Sequence, residues 1–394
     1  MKEKKVAIIG CGAVKIGRYR EKTEAELALE AVRAALLDAG LGRGRIEGLF
    51  TTPDLRENIG MQCNLLCEYL RINPRSMAEI SCGALAAGLA IKCAVEEIKS
   101  GRIQVALCYG ATREGTTGWF KNTPAGMGWP MLDPTALQPY GAYGVMFAYA
   151  LSARRYMYET GATEEHFALA AVRNRRNAAG SPVAALQAPI GVEEVLQSRP
   201  LSTPKMLDSA VSMDGAAALV LASEEVAADA PRPPVYILGI GQYHDSACIV
   251  PTDRCSKSIT RFTATRQAAV KAFTASQLTP GDIDLAEIYA PFSPHELMIP
   301  EDIGWFAPGE MVRAIRDGDT EIGGKIPINT DGGLLSRGHP WPVTPFYQAV
   351  NLVRQLRGEA GPNQVAGARI GLMHSEGGML NNGMVIILGR DKSA

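Results

Sequence analysis

Cys82 has the setting in this chain that is most favourable for covalent chemistry. It lies between Ser81 and Gly83, directly before a run of helical spacing that ends at Gly101. Unpaired N–H groups and the dipole at the start of a helix favour an anion, so we expect a lowered thiol pKa and a reactive thiolate. A buried structural cysteine is the alternative, and the position of Cys82 alone leaves both interpretations open.

A thiolate nucleophile needs a base, and the histidines are the first candidates. They are His166, His244, His295, His339 and His374. His339 lies in "SRGHP", ahead of the helical pattern "FYQAVNLVRQLRG". His374 ends a strand-like run and precedes "SEGG", a turn whose backbone N–H groups could bind an oxyanion. His166 is interpreted as a structural residue on a surface helix, while His244 and His295 fall in predicted loops.

The composition excludes several other kinds of site. The 394 residues carry a net charge of −1, which argues against a surface that binds polyanions. The eight cysteines form no CxxC pair, so neither a zinc site nor a disulfide framework is expected. The apolar run Val6–Ile9 is shorter than the roughly 7–15 residues of an export signal, and no run reaches the ~18 residues of a spanning helix. We therefore expect a cytoplasmic protein without a metal.

An internal repeat organises the chain. The strand pattern "VAIIGCG" returns as "VYILGIG", and the helical pattern that follows each one aligns Leu41 with Leu278. The first run lacks the third glycine of a dinucleotide-binding loop, because Lys15 occupies that position. Strands that alternate with helices predict a layered α/β fold made of two similar halves. An insertion rich in glycine, proline and aromatic residues spans roughly Thr112 to Thr203.

The order and spacing of several motifs resemble the thiolase superfamily, in the branch of sterol-carrier-type thiolases and archaeal acetyl-CoA acetyltransferases. The motifs are "VAIIGCGAVKIG", "LALEAVRAALLDAGL", "SCGALAAGLA", "RRYMYETGATEEHFALAAVRNRRNA", "SMDGAAALVLAS" and "SRGHP". The resemblance implies a duplicated five-layered α/β/α/β/α fold with an inserted loop domain. The expected domains are an N-terminal half (1–111 with 204–230), the insertion (112–203) and a C-terminal half (231–394).

The resemblance also implies a role for each catalytic residue. Cys82 matches the nucleophile that a CoA thioester acylates. His339 matches the histidine of the Gly-His-Pro motif, which activates the cysteine and helps to bind the thioester oxygen. His374 stands where many thiolases carry an acid/base cysteine. The backbone N–H groups of Cys82 and Glu376, in the turn that includes Gly377, would form the oxyanion hole of the acyl-enzyme.

Three departures from the family pattern predict a remodelled pocket. The family's Asn-Glu-Ala-Phe or His-Asp-Cys-Phe motif is "YAPF" here, so Tyr289 replaces the Asn or His of the second oxyanion site. The glycine-rich segment expected after "GHPW" is "PVTP", which keeps Thr344. Glu376 replaces a glycine in the last turn.

The implied reaction is retro-Claisen cleavage of a 3-oxoacyl-CoA, with CoA as a substrate and no metal or redox cofactor. The "YAPF" variant and aromatic residues of the insertion are similar to thiolase subunits that cleave benzoylsuccinyl-CoA to benzoyl-CoA and succinyl-CoA. These aromatic residues are Trp119, Phe120, Trp129 and Tyr140. If they are ordinary core or interface residues, acetoacetyl-CoA or a branched 3-oxoacyl-CoA is the alternative substrate.

Two other classes stay open, namely a non-catalytic thiolase-like lipid-binding or scaffold protein and a condensing ketosynthase. Retention of Cys82, His339 and His374 argues against the first class. The second would need a histidine at Tyr289. The resemblance further implies a homodimer or tetramer, and a separate small subunit with a zinc ribbon and an OB-fold. Neither nucleic acid nor a membrane is an expected partner.

Overall fold

A computed structural model describes most of the chain. The described residues are 4–53, 61–118, 144–245, 258–378 and 381–392. Their strands are β1 (Val6–Ala13), β2 (Gly48–Thr52), β3 (Ser76–Glu79), β4 (Val105–Thr112), β5 (Gly215–Ser223), β6 (Val235–His244), β7 (Leu285–Ile288), β8 (Ile370–Gly377) and β9 (Asn382–Gly389). Their helices are α1 (Glu24–Ala39), α2 (Gln62–Leu70), α3 (Ala86–Lys99), α4 (Glu114–Thr117), α5 (Gly144–Thr160), α6 (Glu164–Ala179), α7 (Val192–Gln197), α8 (Glu224–Ala227), α9 (Thr263–Ser276), α10 (His295–Ile303), α11 (Met311–Asp317) and α12 (Thr344–Arg357).

The sheet topology confirms the duplicated fold. The strands follow the order β3-β2-β4-β5-β1-β6-β9-β8-β7. From each outer end towards the centre, β2-β4-β5-β1 and β7-β8-β9-β6 repeat one arrangement, and β3 is an additional edge strand of the first half. The two halves meet where β1 pairs antiparallel with β6.

Helices cover both faces of these strands. Helix α1 packs on β1, β4 and β5, while α9 packs on β6 and β9, so each half has its own outer helix. Helices α3 and α12 lie on the opposite, inner faces and contact each other. Their buried side chains join one core that draws on both halves. This arrangement is the α/β thiolase fold expected from the sequence, whereas the predicted domain boundaries stay a prediction.

The repeated glycines allow helix and strand to pack closely. A Cβ added to Gly10 would lie 2.3 Å from the Ala35 carbonyl oxygen of α1, and one added to Gly239 would lie 2.3 Å from that of Ala272 in α9. A side chain at either position would therefore separate the helix from its strand. The glycines of "VAIIGCG" and "VYILGIG" thus serve helix packing.

The start of α1 agrees with its sequence signal. Thr23 accepts a hydrogen bond from the backbone N–H of Glu26, whose carboxylate accepts one from the N–H of Thr23. Gly40 ends the helix with a left-handed backbone at φ 63°. Of the helices described, none combines the length and the apolar character needed to span a membrane.

Candidate active site

Cys82 lies in a tight loop between β3 and α3. Helix α3 begins only at Ala86, so Cys82 precedes it by one turn, and the Leu85 N–H donates to the Cys82 carbonyl at 3.1 Å. Gly83 has a φ of +55°, in the left-handed region that favours glycine. The loop leaves the Cys82 side chain partly exposed, as a nucleophile requires.

The surroundings of the Cys82 sulfur raise the thiol pKa, whereas the sequence predicted a lowered one. Burial raises the pKa of Cys82, and a hydrogen bond from Asn382 opposes that rise without reversing it. The amide Nδ2 of Asn382 lies 3.8 Å from Sγ. The expectation of a lowered thiol pKa was therefore wrong, since desolvation of the sulfur outweighs the stabilisation that its surroundings provide.

His339 is held rigidly in the loop that leads to α12. Its backbone N–H donates to Val211 O at 3.1 Å, and its carbonyl accepts from Met213 N at 3.2 Å. The ring Nδ1 lies 2.9 Å from Thr344 Oγ1. Burial, and then the cation of Arg337, lower the pKa of His339 to about 3. The imidazole is therefore neutral at physiological pH and can accept a proton.

Tyr289 occupies the other ring nitrogen of His339. Its hydroxyl lies 3.0 Å from Nε2, and the two rings meet edge to face at 5.3 Å. Burial, and then the charge of Glu376, raise the pKa of Tyr289 well above its usual value, so the hydroxyl keeps its proton. A neutral imidazole that donates from Nδ1 to Thr344 and accepts at Nε2 from Tyr289 satisfies all three groups.

A small apolar cluster connects the two loops. Ala84, Tyr289 and Leu334 form it, and Trp341 packs against them. A Cβ added to Gly83 would lie 4.0 Å from Cζ2 of Trp341. The structure thus brings the Cys82 loop, Tyr289 and the His339 loop together, whereas Trp119 lies outside the described residues.

Strand β8 places its alternate side chains on opposite faces. Gly377 faces the Cys82 loop, because its added Cβ would lie 2.7 Å from Leu85 Cδ1 and 3.7 Å from the Cys82 carbonyl oxygen. Ser375 shares that face by alternation. His374 and Glu376 face the other way, towards α9 and α5.

The direction of the His374 side chain bears on its predicted role as an acid/base group. Its Nε2 lies 3.1 Å from Thr265 Oγ1 of α9, and its Nδ1 is buried without a recorded partner among the described residues. Burial lowers its pKa to about 3. The His374 side chain therefore points away from Cys82, and this geometry does not support it as the acid/base group.

Glu376 is an acid buried beneath the insertion. Its side chain is 3% exposed, and its carboxyl accepts a hydrogen bond from the Tyr149 hydroxyl of α5. Burial raises the pKa of Glu376 to about 8, although the bond from Tyr149 lowers it. The carboxyl is thus largely protonated at neutral pH. The oxyanion role of its backbone N–H stays a prediction.

A buried ionic cluster supports the His339 loop from below. Arg337 lies 2.6 Å from Asp331 Oδ2 and 3.3 Å from Glu287 Oε2, and none of the three side chains is more than 3% exposed. Asn351 of α12 donates to Glu287 at 2.7 Å. The cluster therefore joins β7, the loop before His339 and the helix after it.

Three other histidines lie elsewhere than their sequence patterns predicted, and one of them, His244, is the last residue of β6. His166 is 2% exposed in α6, and its Nδ1 accepts the Thr163 N–H at 3.0 Å, so it caps a helix and is not a surface residue. His295 opens α10, is fully buried, and stacks with its edge on Tyr149 at 4.5 Å. Neither His166 nor His295 contributes to the site around Cys82.

Comparisons with known proteins agree with this architecture. A family model described as thiolase C-terminal domain-like matches residues 247–390. An acetyl-CoA acetyltransferase of Methanothermobacter thermautotrophicus is 35% identical over 395 residues, covering 98% of this chain and 99% of that protein. The benzoylsuccinyl-CoA thiolase subunit BbsB of Thauera aromatica is 31% identical over 396 residues, covering 95% of each. A solved structure described as the Ltp2-ChsH2(DUF35) aldolase matches with a TM-score of 0.85 and 31% identity, covering 98% of this chain and 97% of that one.

The duplicated fold, with a cysteine and a histidine placed before the two inner helices, defines a thiolase-type protein. The chain belongs to the thiolase superfamily. The similarity to an acetyl-CoA acetyltransferase and to a benzoylsuccinyl-CoA thiolase subunit supports an acyltransferase with CoA-dependent thiolase function.

Proposed function

We propose that this chain cleaves a 3-oxoacyl-CoA larger than acetoacetyl-CoA, through an acyl-enzyme on Cys82. The observation that carries the proposal is the partly exposed Cys82 thiol in a loop that packs beside the His339–Tyr289 pair. Benzoylsuccinyl-CoA is the leading candidate substrate, and its products would be benzoyl-CoA and succinyl-CoA. The similarity to BbsB over nearly the whole chain supports this choice.

In the first half-reaction, the Cys82 thiolate attacks the 3-oxo carbon and the bond between C2 and C3 breaks. The electron pair moves onto the departing CoA thioester as an enolate, which a proton then converts into the first acyl-CoA product. In the second, the sulfur of CoA attacks the acyl group, and Cys82 leaves as a thiolate. His339 is neutral and held by Thr344, and it is the base that we assign to the Cys82 proton once the Tyr289 hydroxyl has turned from its Nε2 to the substrate.

Tyr289 takes over the oxyanion site in this proposal. Its hydroxyl stays protonated, so when it turns from His339 to the substrate it can donate its one O–H to a thioester or enolate oxygen. The aromatic ring also gives the pocket a different shape and lining from those that an Asn would give. A pocket that is reshaped in this way supports a substrate other than acetoacetyl-CoA.

The test is a product assay with purified enzyme, CoA and a panel of acetoacetyl-CoA, a branched 3-oxoacyl-CoA and benzoylsuccinyl-CoA. We expect CoA-dependent formation of benzoyl-CoA and succinyl-CoA in the wild type and none in Cys82→Ala. Cleavage of acetoacetyl-CoA alone would overturn the substrate choice and leave the acetyl-CoA acetyltransferase alternative. Binding of every thioester without turnover would favour the non-catalytic alternative.

A second candidate is retro-aldol cleavage of a 3-hydroxyacyl-CoA. The similarity to the Ltp2-ChsH2(DUF35) aldolase and the buried Tyr289–His339 pair favour it. Such a reaction needs a base and an oxyanion site but neither a cysteine nor free CoA. Cleavage of a 3-hydroxyacyl-CoA that survives in Cys82→Ala would identify it.

We also propose that the chain assembles with itself and with a separate small subunit. Strand β3 lies at the edge of the sheet, where Met77 is 51% exposed, so a second copy could extend the sheet there. Light scattering should show a dimer for the wild type and a monomer for Met77→Lys. A monomeric wild type would contradict this assembly.

The separate subunit and the location rest on different observations. The structure of the Ltp2-ChsH2(DUF35) aldolase, as described, pairs a similar chain with a second protein. Co-expression with an OB-fold and zinc-ribbon protein encoded nearby should raise turnover, and unchanged turnover would count against this partner. A cytoplasmic location is supported by the demand for CoA and by free cysteines such as Cys63 and Cys108.

A further inference from the structure

Asn382 directs its side chain at the proposed nucleophile. It is the first residue of β9 and pairs with Gly377, the residue that packs against the Cys82 carbonyl. Met384, two residues further on, packs into the inner core, so alternation places Asn382 on the same inner face. From there its Nδ2 reaches to 3.8 Å from the Cys82 sulfur.

In this conformation, His339 does not provide a hydrogen bond that would stabilise the Cys82 thiolate. Burial opposes ionisation of Cys82. Both ring nitrogens of His339 are occupied, one by Tyr289 at 3.0 Å and the other by Thr344 at 2.9 Å. Among the described residues, the Asn382 amide is the hydrogen-bond donor recorded on the sulfur.

We propose that Asn382 is a further catalytic residue, whose amide N–H stabilises the Cys82 thiolate and fixes the direction of its sulfur. A hydrogen bond to an ionised acceptor is stronger than one to a neutral acceptor. The bond therefore strengthens when Cys82 loses its proton and weakens when the sulfur becomes a thioester. Asn382 stays neutral throughout, and the proton of the thiol goes to the base.

This role also acts on the second half-reaction. When CoA attacks the acyl group, Cys82 departs as a thiolate and regains the charge that the amide favours. That part rests on the proposed function, because it needs an acylated Cys82. The effect on the free thiol does not depend on any substrate.

The amide oxygen of Asn382 indicates that this side chain serves function rather than folding stability. The Oδ1 atom of Asn382 is buried and has no hydrogen-bond partner among the described residues. A buried acceptor without a partner does not favour folding. We therefore expect replacement of Asn382 by an apolar residue to leave the melting temperature unchanged or to raise it, while thiol reactivity falls.

The test measures the rate at which iodoacetamide alkylates Cys82 as a function of pH, with the Cys82 peptide quantified by mass spectrometry. The midpoint of this rate–pH curve reports the pKa of the Cys82 thiol. In Asn382→Ala we expect the midpoint to rise by about one pH unit, and alkylation at pH values below the midpoint to slow by about tenfold. In Asn382→Asp, which is nearly isosteric, a carboxylate faces the thiolate and the midpoint should rise further. Asn381→Ala is the matched control, since it removes the amide of the neighbouring residue, which lies before β9 begins, and its midpoint should stay within about 0.3 units of the wild type.

Unchanged midpoints in Asn382→Ala and Asn382→Asp, with both variants folded by circular dichroism, would overturn the proposal. If the alanine variant does not fold, the near-isosteric aspartate variant decides alone. The two proposals can fail separately. If the midpoints shift while no CoA thioester acylates Cys82, the proposed function fails and the role of Asn382 stands. If a CoA thioester acylates Cys82 while the midpoints do not shift, the proposed function stands and the role of Asn382 fails.

Discussion

The hydroxyl of Tyr289 lies 3.0 Å from Nε2 of His339, so the histidine that we propose as the base already has a phenol as its partner. In the family pattern, Tyr289 occupies the position of an Asn or His. The substitution keeps a hydrogen-bond donor beside the histidine, and it adds an aromatic ring that packs with Ala84 of the Cys82 loop. The remodelled oxyanion site and the altered substrate choice that we propose both follow from this contact.

Tyr289→Phe tests that contact. It keeps the ring but removes the donor, so we expect kcat to fall by about 100-fold, the usual effect of losing one oxyanion donor. Steady-state kinetics on the best substrate of the panel provides the measurement. Alkylation of Cys82 by iodoacetamide should stay close to the wild-type rate, which shows that the loop is intact. Activity within about twofold of the wild type would remove Tyr289 from the mechanism.

The buried carboxyl of Glu376 should make the free energy of unfolding depend on pH. Its pKa is about 8 in the folded chain against an ordinary value of 4.5, so the folded state retains a proton that the unfolded state loses between these two values. This contribution to stability is complete below pH 4.5 and is lost as the pH rises towards 8. Relative to Glu376→Gln, the wild type should lose about 1.4 kcal/mol of unfolding free energy per pH unit within this window.

Urea denaturation of both proteins at several pH values measures that difference. The comparison with Glu376→Gln matters because His339 and His374 act in the opposite direction. Their pKa values of about 3 lie below the unfolded value of 6.5, so their contribution to stability is lost as the pH falls below 6.5. A difference between the two proteins that does not vary with pH would show that Glu376 is ionised in the folded chain.

Gly377 is predicted to set the position of the Cys82 loop. In Gly377→Ala the new methyl group would lie 2.7 Å from Leu85 Cδ1, so the buried Leu85 side chain, β8 or the Cys82 loop must shift. We expect the free energy of unfolding to fall by about 1–3 kcal/mol and the alkylation rate of Cys82 to change. Leu85→Ala removes the clashing group, so the double variant should be more stable than the sum of the single effects predicts. Additive effects of the two substitutions would contradict the close contact.

Arg337 should matter for stability far more than an exposed arginine does. Arg337→Met leaves the buried carboxylates of Glu287 and Asp331 without their cation, so we expect a loss of about 3–5 kcal/mol of unfolding free energy. Arg369→Met is the control, since its pair with Asp391 is exposed and should contribute about 0–1 kcal/mol. Chemical denaturation of both variants measures the contrast. Equal losses would mean that the cluster does not hold the loop before His339.

The sequence allowed the scaffold to be predicted because the same local signals occur in both halves. Two glycine-containing strand patterns, each followed by a helical pattern, required two similar packing units, and the repeated strand order confirms them. Cys82 and His339 could be placed before the two inner helices for the same reason. A capping box such as that of Thr23 and Glu26 is local, so it was visible in the sequence.

The details of the site depend on contacts between distant segments. The alternation of β8 decides that Gly377 faces Cys82 and that His374 faces α9, and this register cannot be read from "MHSEGG" alone. Likewise, the partners of Cys82 and Glu376 are Asn382 and Tyr149, which lie 300 and 227 positions away along the chain. The raised pKa of the Cys82 thiol follows from burial, whereas its sequence context suggested only a helix start.

The most direct test of the central claim is mass spectrometry of Cys82 after brief exposure to CoA thioesters. The panel contains acetyl-, acetoacetyl-, succinyl-, benzoyl- and benzoylsuccinyl-CoA, and Cys82→Ala is the control. We expect a benzoyl group on the Cys82 peptide, because the succinyl part leaves as the CoA enolate, and this benzoyl group should disappear when free CoA is added. If no thioester modifies Cys82, even with the candidate partner subunit present, the acyl-enzyme mechanism proposed for this chain is wrong.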